Sequence, residues 1–217
     1  MEYINLHTHH LISSNEIISI YNNRVGEPLF LKQFFSVGIH PYDAGIVEAD
    51  EAFKIVEKLI THKNCLAIGE CGLDKVSKTN FENQKFLFEK QLQLALTYKK
   101  PVIIHCVKAF DELLEITKPY QTHIPLIIHG FNKSEQLAND LIKNHFYLSV
   151  NPSLIKQTAF NFNAISIEKL FLETDDKPNA SIESCYEQLA LKLNMPLTLL
   201  LQKIKCNFET AFYATKK

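Results

Sequence analysis

The amino-acid sequence predicts an α/β protein built as a TIM-type (β/α)8 barrel that is distorted and lacks its first helix. Three observations favour this fold. Short apolar runs alternate with amphipathic stretches of about 10–15 residues, which is the pattern of parallel strands joined by helices. Eight apolar runs occur, and eight is the strand number of this barrel. Most of the runs end on His, Glu or Asp, and in such barrels the carboxyl ends of the strands carry the chemistry.

The predicted elements follow one another without a repeat or a Pro/Gly/Ser-rich linker, so we expect one domain over residues 1–217. The apolar runs are YINLH (3–7), IISIY (17–21), FFSVGIH (34–40), CLAIGE (65–70), PVIIHC (101–106), IPLIIHG (124–130), FYLSV (146–150) and KLFLETD (169–175). The helical spacing of apolar residues predicts helices over 50–62, 83–99, 110–120, 134–145, 181–194 and 196–212. Pro196 suits the first turn of the last helix.

The connection between the first two runs is too short for a helix. Only residues 10–16 separate them, whereas a parallel crossover needs a dozen or more residues. We therefore expect the second run to lie antiparallel to the first or to be no barrel strand at all. The NNRVGEP segment that follows would then suit an up-down-up excursion without a helix.

The composition is that of an ordinary folded protein, with 46% hydrophobic and 22% charged residues. The net charge of −1 provides no overall basic field for nucleic acid, so only a local basic rim could attract it. Five widely spaced cysteines without a CxxC pair favour a reduced protein. No signal pattern and no run of about 18 apolar residues is present. We therefore expect a cytoplasmic protein without a membrane partner, with a monomer favoured.

Seven titratable side chains stand at the ends of six apolar runs: His7, His9, His40, Glu70, His105, His129 and Asp175. In a barrel these strand ends meet on one face. Within the HTH triplet, alternate side chains share a face, so His7 and His9 point together. Imidazole and carboxylate are the ligands that zinc, manganese and iron prefer. Four histidines with two carboxylates match two divalent ions that share one bridging carboxylate.

A single histidine after a strand is more often a hydrogen-bonded structural residue, and only the ordered combination of these side chains favours a metal site. We expect structural roles for the histidines outside that combination, which are His10, His62, His123 and His145. Cys71 and Cys106 are expected to be small core residues rather than ligands.

The motifs HTH, VGIHP, AIGECGLD, PVIIHC, IHGF and ETD resemble, in order and context, those of the TatD-related metal-dependent hydrolases and deoxyribonucleases, which are amidohydrolase-like barrels. The resemblance covers nearly the whole chain. It implies that one divalent cation (Mg, Mn, Zn or similar) is held by His7, His9, Glu70 and Asp175. It implies that Glu70 bridges to a second cation held with His105 and His129. His40 would lie beside the site, where it contacts substrate or orients water.

Three departures from the family pattern bear on the substrate rather than on the metals. Asn5 stands where the family usually has an acid. Lys108 replaces an arginine often found after the IIH strand, which keeps the charge but loses the bidentate fork that grips phosphate. The segment after Asp175 is short and leads directly into a helix.

The resemblance and the ligand inventory predict a deoxyribonuclease that hydrolyses phosphodiester bonds in DNA, from a 3′ end, with metal-activated water. Glu70 and Asp175 would be catalytic, with Asp175 orienting the water or taking its proton. Lys108 and Lys177 are candidates for contacting phosphate near the rim, and Glu173 has a supporting role. Three alternatives stay open: a phosphoesterase of the polymerase-and-histidinol-phosphatase type, an amidohydrolase acting on a small molecule, and a catalytically silent metal-binding scaffold.

Overall fold

Eight parallel strands form one sheet in chain order in a computed structural model that describes residues 2–45, 49–177 and 179–213. The strands are β1 (Tyr3–Thr8), β2 (Ile17–Arg24), β3 (Phe35–Gly38), β4 (Cys65–Asp74), β5 (Val102–Val107), β6 (Leu126–Ile128), β7 (Tyr147–Val150) and β8 (Leu170–Leu172). Each strand pairs in parallel with the next along the chain. The predicted (β/α)8 barrel is confirmed.

All six predicted helices are present, with bounds that differ by at most three residues from those predicted. The helices are α1 (Ala49–Leu59), α2 (Phe81–Tyr98), α3 (Phe110–Thr117), α4 (Glu135–Lys143), α5 (Pro152–Ile155), α6 (Ile182–Lys192) and α7 (Leu197–Phe212). The four-residue helix α5 was not predicted. Among the described helices, none combines the length and the apolar character that a membrane crossing requires.

The helices cover the outer face of the sheet with apolar side chains. Helix α2, for example, packs on β4 and buries Leu87, Phe88 and Leu92. Full burial of one such side chain stabilises the folded state by about 1.5–3 kcal/mol. The apolar core thus fixes the strands whose carboxyl ends carry the polar residues.

The prediction for the second strand was wrong. β2 runs parallel to both neighbours, with Tyr3 opposite Ile17 and Tyr21 opposite Phe35. The eight linking residues 9–16 can span about 26–29 Å when extended, whereas the six-residue strand β1 is about 20 Å long. An extended segment therefore returns the chain to the start of β2 without a helix.

The missing first helix is confirmed, and the connection from β2 to β3 also contains no helix. The two extended connections line a groove of about 670 Å³ with Leu11, Ile12, Leu29 and Phe30 among its walls. The Asn-Asn-Arg residues assigned from the sequence to an excursion are instead the last residues of β2. This places the Asn22 side chain inside the barrel, where it is buried.

Two glycines in β4 allow that strand to approach the backbone of β5 closely. Gly69 has φ +140° and Gly72 has φ +142°. A Cβ added at Gly69 would lie 2.5 Å from the Ile103 carbonyl oxygen, and one at Gly72 would overlap the His105 carbonyl oxygen. The β4–β5 register shifts between Ile68 and Cys71, as in a β-bulge that re-aims a side chain. The residue re-aimed here is Glu70, which lies buried.

The barrel closes between β1 and β8 through a short seam rather than a full ladder. A bridge joins Thr8 to Asp175, where the His9 N–H donates to the Asp175 carbonyl at 3.1 Å. The Asn5 side chain adds two hydrogen bonds: its Oδ1 accepts the Thr174 N–H at 3.0 Å and its Nδ2 donates to Thr174 Oγ1 at 2.9 Å. Asn5 therefore has a defined role in closing the barrel.

We expect Gly72→Ala to lower the free energy of unfolding by about 1–3 kcal/mol more than Gly26→Ala, because only the first substitution drives a methyl group into a neighbouring strand. Gly26 is a matched control, since it also has a positive φ (+95°) but nothing within 4 Å of an added Cβ. Chemical denaturation of both variants measures the difference. Equal losses would show that the β4–β5 contact does not require glycine.

Candidate metal centre

The structure brings the six predicted metal ligands together at the carboxyl ends of the barrel strands. Each side chain is placed by a different strand or strand end, apart from the HTH pair, because parallel strands present these ends on one face. The residues are His7 in β1, His9 just after it, Glu70 in β4, His105 in β5, His129 just after β6 and Asp175 three residues after β8.

A first group of donor atoms consists of His7 Nε2, His9 Nε2, Glu70 Oε2 and Asp175 Oδ1. The two imidazole nitrogens are 3.3 Å apart. They lie 3.5 and 3.8 Å from Glu70 Oε2, and 3.9 and 3.8 Å from Asp175 Oδ1. Four ligands held tetrahedrally at about 2.1 Å from one cation would be about 3.4 Å apart. The group therefore fits a small divalent cation.

A second group of donor atoms faces the other oxygen of the same carboxylate. Glu70 Oε1 lies 2.9 Å from His105 Nδ1 and 2.7 Å from His129 Nε2. The two ring nitrogens are 3.5 Å apart. The two oxygens of Glu70 thus point to two separate donor groups, which is the arrangement of a carboxylate that bridges two cations.

The two histidines of the second group are each backed by a further carboxylate. His105 Nε2 lies 3.0 Å from Asp74 Oδ2, and His129 Nδ1 lies 3.4 Å from Glu173 Oε1. A carboxylate hydrogen-bonded to a histidine holds the proton on the nearer nitrogen and leaves the opposite lone pair free for a metal. The Asp74 contact thus leaves His105 Nδ1 as the metal-facing atom, whereas the longer Glu173 contact is no hydrogen bond, and His129 Nε2 is the nitrogen that faces Glu70.

The sequence predicts no role for Asp74, although this residue ends the AIGECGLD motif. Its Oδ1 accepts the N–H groups of Val76 and Ser77, which leaves Oδ2 for His105. The available signal was its position four residues after Glu70 on β4, an even spacing that favours the same face of a strand. Asn22 was also missed: its side chain donates to Glu70 Oε2 at 3.3 Å and accepts the Glu70 N–H at 3.0 Å.

His40 contacts the same carboxylate in a different way. Its Nδ1 accepts the Tyr42 N–H at 3.1 Å, so a neutral ring carries its proton on Nε2. That atom lies 3.2 Å from Glu70 Oε1 and donates to it. His40 therefore orients Glu70. Lys108 is exposed and has φ +54°. The predicted substrate contacts of His40 and Lys108 stay predictions.

The electrostatics of the site follow from this crowding of opposite charges. Burial alone would raise the pKa of the Glu70 carboxyl, but His129, His105 and His40 hold that pKa well below its ordinary value. Burial would likewise lower the pKa of the His129 imidazole, but Glu70 and Glu173 hold it well above its ordinary value. A buried, ionised carboxylate among nitrogen donors favours cations.

The cysteines near the site are core residues in the structure. Cys71 and Cys106 are buried and free. Burial raises the pKa of the Cys106 thiol to about 12 and raises that of Cys71 as well. Because a metal binds the thiolate and not the thiol, these residues are poor ligands. The possible metal groups among the described residues contain no cysteine.

A cavity of about 210 Å³ opens beside the second donor group. Its walls include three site residues and three polar residues of neighbouring loops: His105, His129, Asp175, Asn132, Lys133 and Asn151. A small anionic group in this cavity would lie against the donor atoms.

Comparisons with known proteins agree with this architecture. A sequence model of the family described as TatD-related DNase matches residues 13–213. The 3′-5′ ssDNA/RNA exonuclease TatD of Cronobacter turicensis is 31% identical over 149 residues, which are 64% of this chain and 56% of that protein. YabD of Bacillus subtilis, an uncharacterized metal-dependent hydrolase, is 31% identical over 148 residues, which are 65% of this chain and 58% of YabD. The chain spans about half the length of these curated relatives.

Among solved structures, the crystal structure of YjjV, a TatD homolog from Escherichia coli K12, superposes with a TM-score of 0.82. The match covers 97% of both chains at 20% sequence identity. At this identity the likeness establishes the shared fold.

We expect Asp74→Asn to lower the affinity for Mn²⁺ about 10- to 100-fold while the protein stays folded. The amide oxygen can still accept from Val76 and Ser77, so the amide nitrogen would face His105 Nε2 and force the proton onto Nδ1, the metal-facing atom. Calorimetric titration with Mn²⁺ measures the affinity, and nitrogen NMR shifts of His105 report the tautomer. Asp111→Asn, on the exposed first turn of α3, is the matched control. Unchanged affinity in Asp74→Asn would contradict a role for Asp74 behind His105.

Proposed function

This chain belongs to the TatD-related DNase family, and on that basis we propose that it is a divalent-metal-dependent hydrolase that cleaves phosphodiester bonds in DNA. The observation that carries the proposal is the Glu70 carboxylate, whose two oxygens face two donor groups beside a cavity of about 210 Å³. Many enzymes that hydrolyse phosphodiester bonds use two adjacent divalent cations.

In this proposal His7, His9, Glu70 and Asp175 would hold one cation, and Glu70 would hold a second together with His105 and His129. The donor distances described above support the assignment. Nitrogen and carboxylate donors suit Mg, Mn, Zn and similar ions. Such cations, when bound, polarise the phosphate and lower the pKa of water toward neutrality.

The protein's own residues would position the reacting groups. Asp175 contributes Oδ1 to the first donor group and also lines the cavity, and its side chain is 20% exposed. On these grounds we propose that Asp175 orients an attacking water and accepts its proton. His40 holds Oε1 of the shared carboxylate, and Asn22 holds Oε2. We propose that Lys108, on the loop after β5, contacts a phosphate of the substrate at the mouth of the barrel.

The names of relatives support a nucleic-acid substrate. The Cronobacter protein is named an exonuclease acting on single-stranded DNA and RNA in the 3′-5′ direction, and the family is described as DNase. We propose cleavage of DNA from a 3′ end, with single-stranded RNA as a second substrate. A monomeric state and a cytoplasmic location stay predictions from the sequence.

We expect the Mn²⁺-loaded protein to hydrolyse bis(p-nitrophenyl) phosphate and single-stranded oligodeoxynucleotides, and expect Glu70→Gln to lower both rates at least about 100-fold. Neutralising the shared carboxylate weakens both donor groups at once. Release of p-nitrophenol and gel electrophoresis of a labelled oligonucleotide measure the rates. Glu115→Gln, exposed on α3, is the matched control.

The outcomes separate the alternatives. Tight Mn²⁺ binding without turnover of any ester would indicate a silent scaffold. Hydrolysis of a small phosphate monoester but of no oligonucleotide would indicate a small-molecule phosphoesterase. Turnover of an amide or lactone with no phosphoester activity would indicate an amidohydrolase. Equal activity of wild type and Glu70→Gln would overturn the proposed centre itself.

A further inference from the structure

Lysines stand on the four consecutive loops that follow β5, β6, β7 and β8. They are Lys108, Lys133, Lys156 and Lys177. The first three make no ion pair with a carboxylate in the part of the chain that the structure describes, and Lys177 lies 3.2 Å from its neighbour Asp176. Three lysines without a carboxylate partner among the described residues, and a fourth paired only with its exposed neighbour Asp176, therefore line one side of the barrel mouth.

Two cations on the opposite side of the mouth are engaged within the protein. Arg24, at the end of β2, forms a bidentate pair with Asp43 at 2.7 Å. Lys75, directly after β4, lies 2.6 Å from Glu112. These charges are committed to internal partners, so they offer less to a bound anion than the lysines after β6 and β7.

A second cavity, of about 370 Å³, lies next to the cavity at the metal centre. Its walls include Ser153, Lys156, Lys177 and Asn179. Asn151 lines the first cavity and the following residue, Pro152, lines the second. Likewise, Asp175 lines the first cavity and Lys177, two residues later, lines the second. Two residues span at most about 7 Å. The two cavities are therefore neighbours at the ends of β7 and β8.

Asn151 supplies a hydrogen-bond donor at the first cavity. The residue is only 7% exposed, and its Oδ1 accepts the Ser153 N–H at 3.0 Å. This hydrogen bond fixes the amide, so Nδ2 is left as a donor, and it has no hydrogen-bond partner among the described residues. Nδ2 is accessible to solvent, and Asn151 lines the first cavity. An anion in that cavity, beside Lys133, would accept a hydrogen bond from Nδ2.

We propose that the two cavities are consecutive phosphate subsites for the backbone of a single-stranded nucleic acid. Asn151 and Lys133 take the phosphate that is cleaved, and Lys156 and Lys177 take the next phosphate along the strand. A positively charged groove that follows the backbone is how single strands are bound without sequence preference. The inference rests on the proposed function. It adds the residues that favour a nucleic-acid strand over a small phosphoester as substrate.

The test compares a one-phosphate substrate with a strand. In the Mn²⁺-loaded protein, the double variant Lys156→Gln/Lys177→Gln is expected to lower kcat/KM for a single-stranded decamer about 10-fold and to leave that for bis(p-nitrophenyl) phosphate unchanged. The dependence of log KM for the decamer on log salt should become shallower by about 0.7 for each phosphate that the variant no longer neutralises. Lys118→Gln/Lys143→Gln, at the other end of the barrel, is the matched control.

A variant of the first subsite should behave differently. Asn151→Asp keeps the oxygen that accepts from Ser153 but replaces the free donor by a carboxylate oxygen, so it should slow cleavage of both substrates about 10-fold or more. An unchanged decamer rate in the lysine pair, or an equal loss on both substrates, would overturn the second subsite. Unchanged rates in Asn151→Asp would overturn the first.

A binding measurement distinguishes failure of the proposed function from failure of the proposed subsites. If the wild-type protein cleaves neither substrate, fluorescence anisotropy of a labelled decamer still measures the subsites in the Mn²⁺-loaded protein. Weaker binding and a shallower salt dependence in the lysine pair, compared with its control, would then support the subsites. Equal binding by wild type and the lysine pair would overturn them.

Discussion

The structure depends most on one buried carboxylate. The side chain of Glu70 is 6% exposed, and five imidazole nitrogens lie within 3.8 Å of its two oxygens. Burying an unpaired charge costs several kcal/mol, so this carboxylate requires the surrounding donors. The glycines on either side of it let β4 approach β5, and Asn22 of β2 fixes both its backbone and its side chain. The site is therefore a consequence of how β2, β4 and β5 are placed around the barrel.

Barrel closure and site assembly are coupled through the same few residues. Asp175 bridges to Thr8 with its backbone, which closes the seam between β1 and β8, and its side chain joins the first donor group. The Asn5 side chain forms two hydrogen bonds with Thr174 across this seam. A displacement of β8 relative to β1 would move Asp175 away from His7. The geometry of the first donor group is thus held by barrel closure rather than by the loops.

The barrel and its ligand cluster could be predicted because both depend on short-range patterns: apolar runs define the strands, and strand ends must meet on one face. The direction of β2 could not be predicted, because the rule on crossover length describes helical connections. An extended segment of eight residues is also long enough to connect two parallel strands. Placing β2 wrongly also hid Asn22. Asp74 was missed because its partner, His105, lies on another strand. Lys133 and Lys156 were missed because the sequence does not show which charges lack a partner in the fold.

The most direct test of a carboxylate shared between two cations is anomalous X-ray diffraction from crystals of the Mn²⁺-loaded protein. Two manganese peaks about 3.5–4 Å apart are expected, one against Oε2 and one against Oε1 of Glu70. The first peak should touch His7, and the second should touch His105 Nδ1. A single peak, or two peaks of which neither contacts Glu70, would contradict the account.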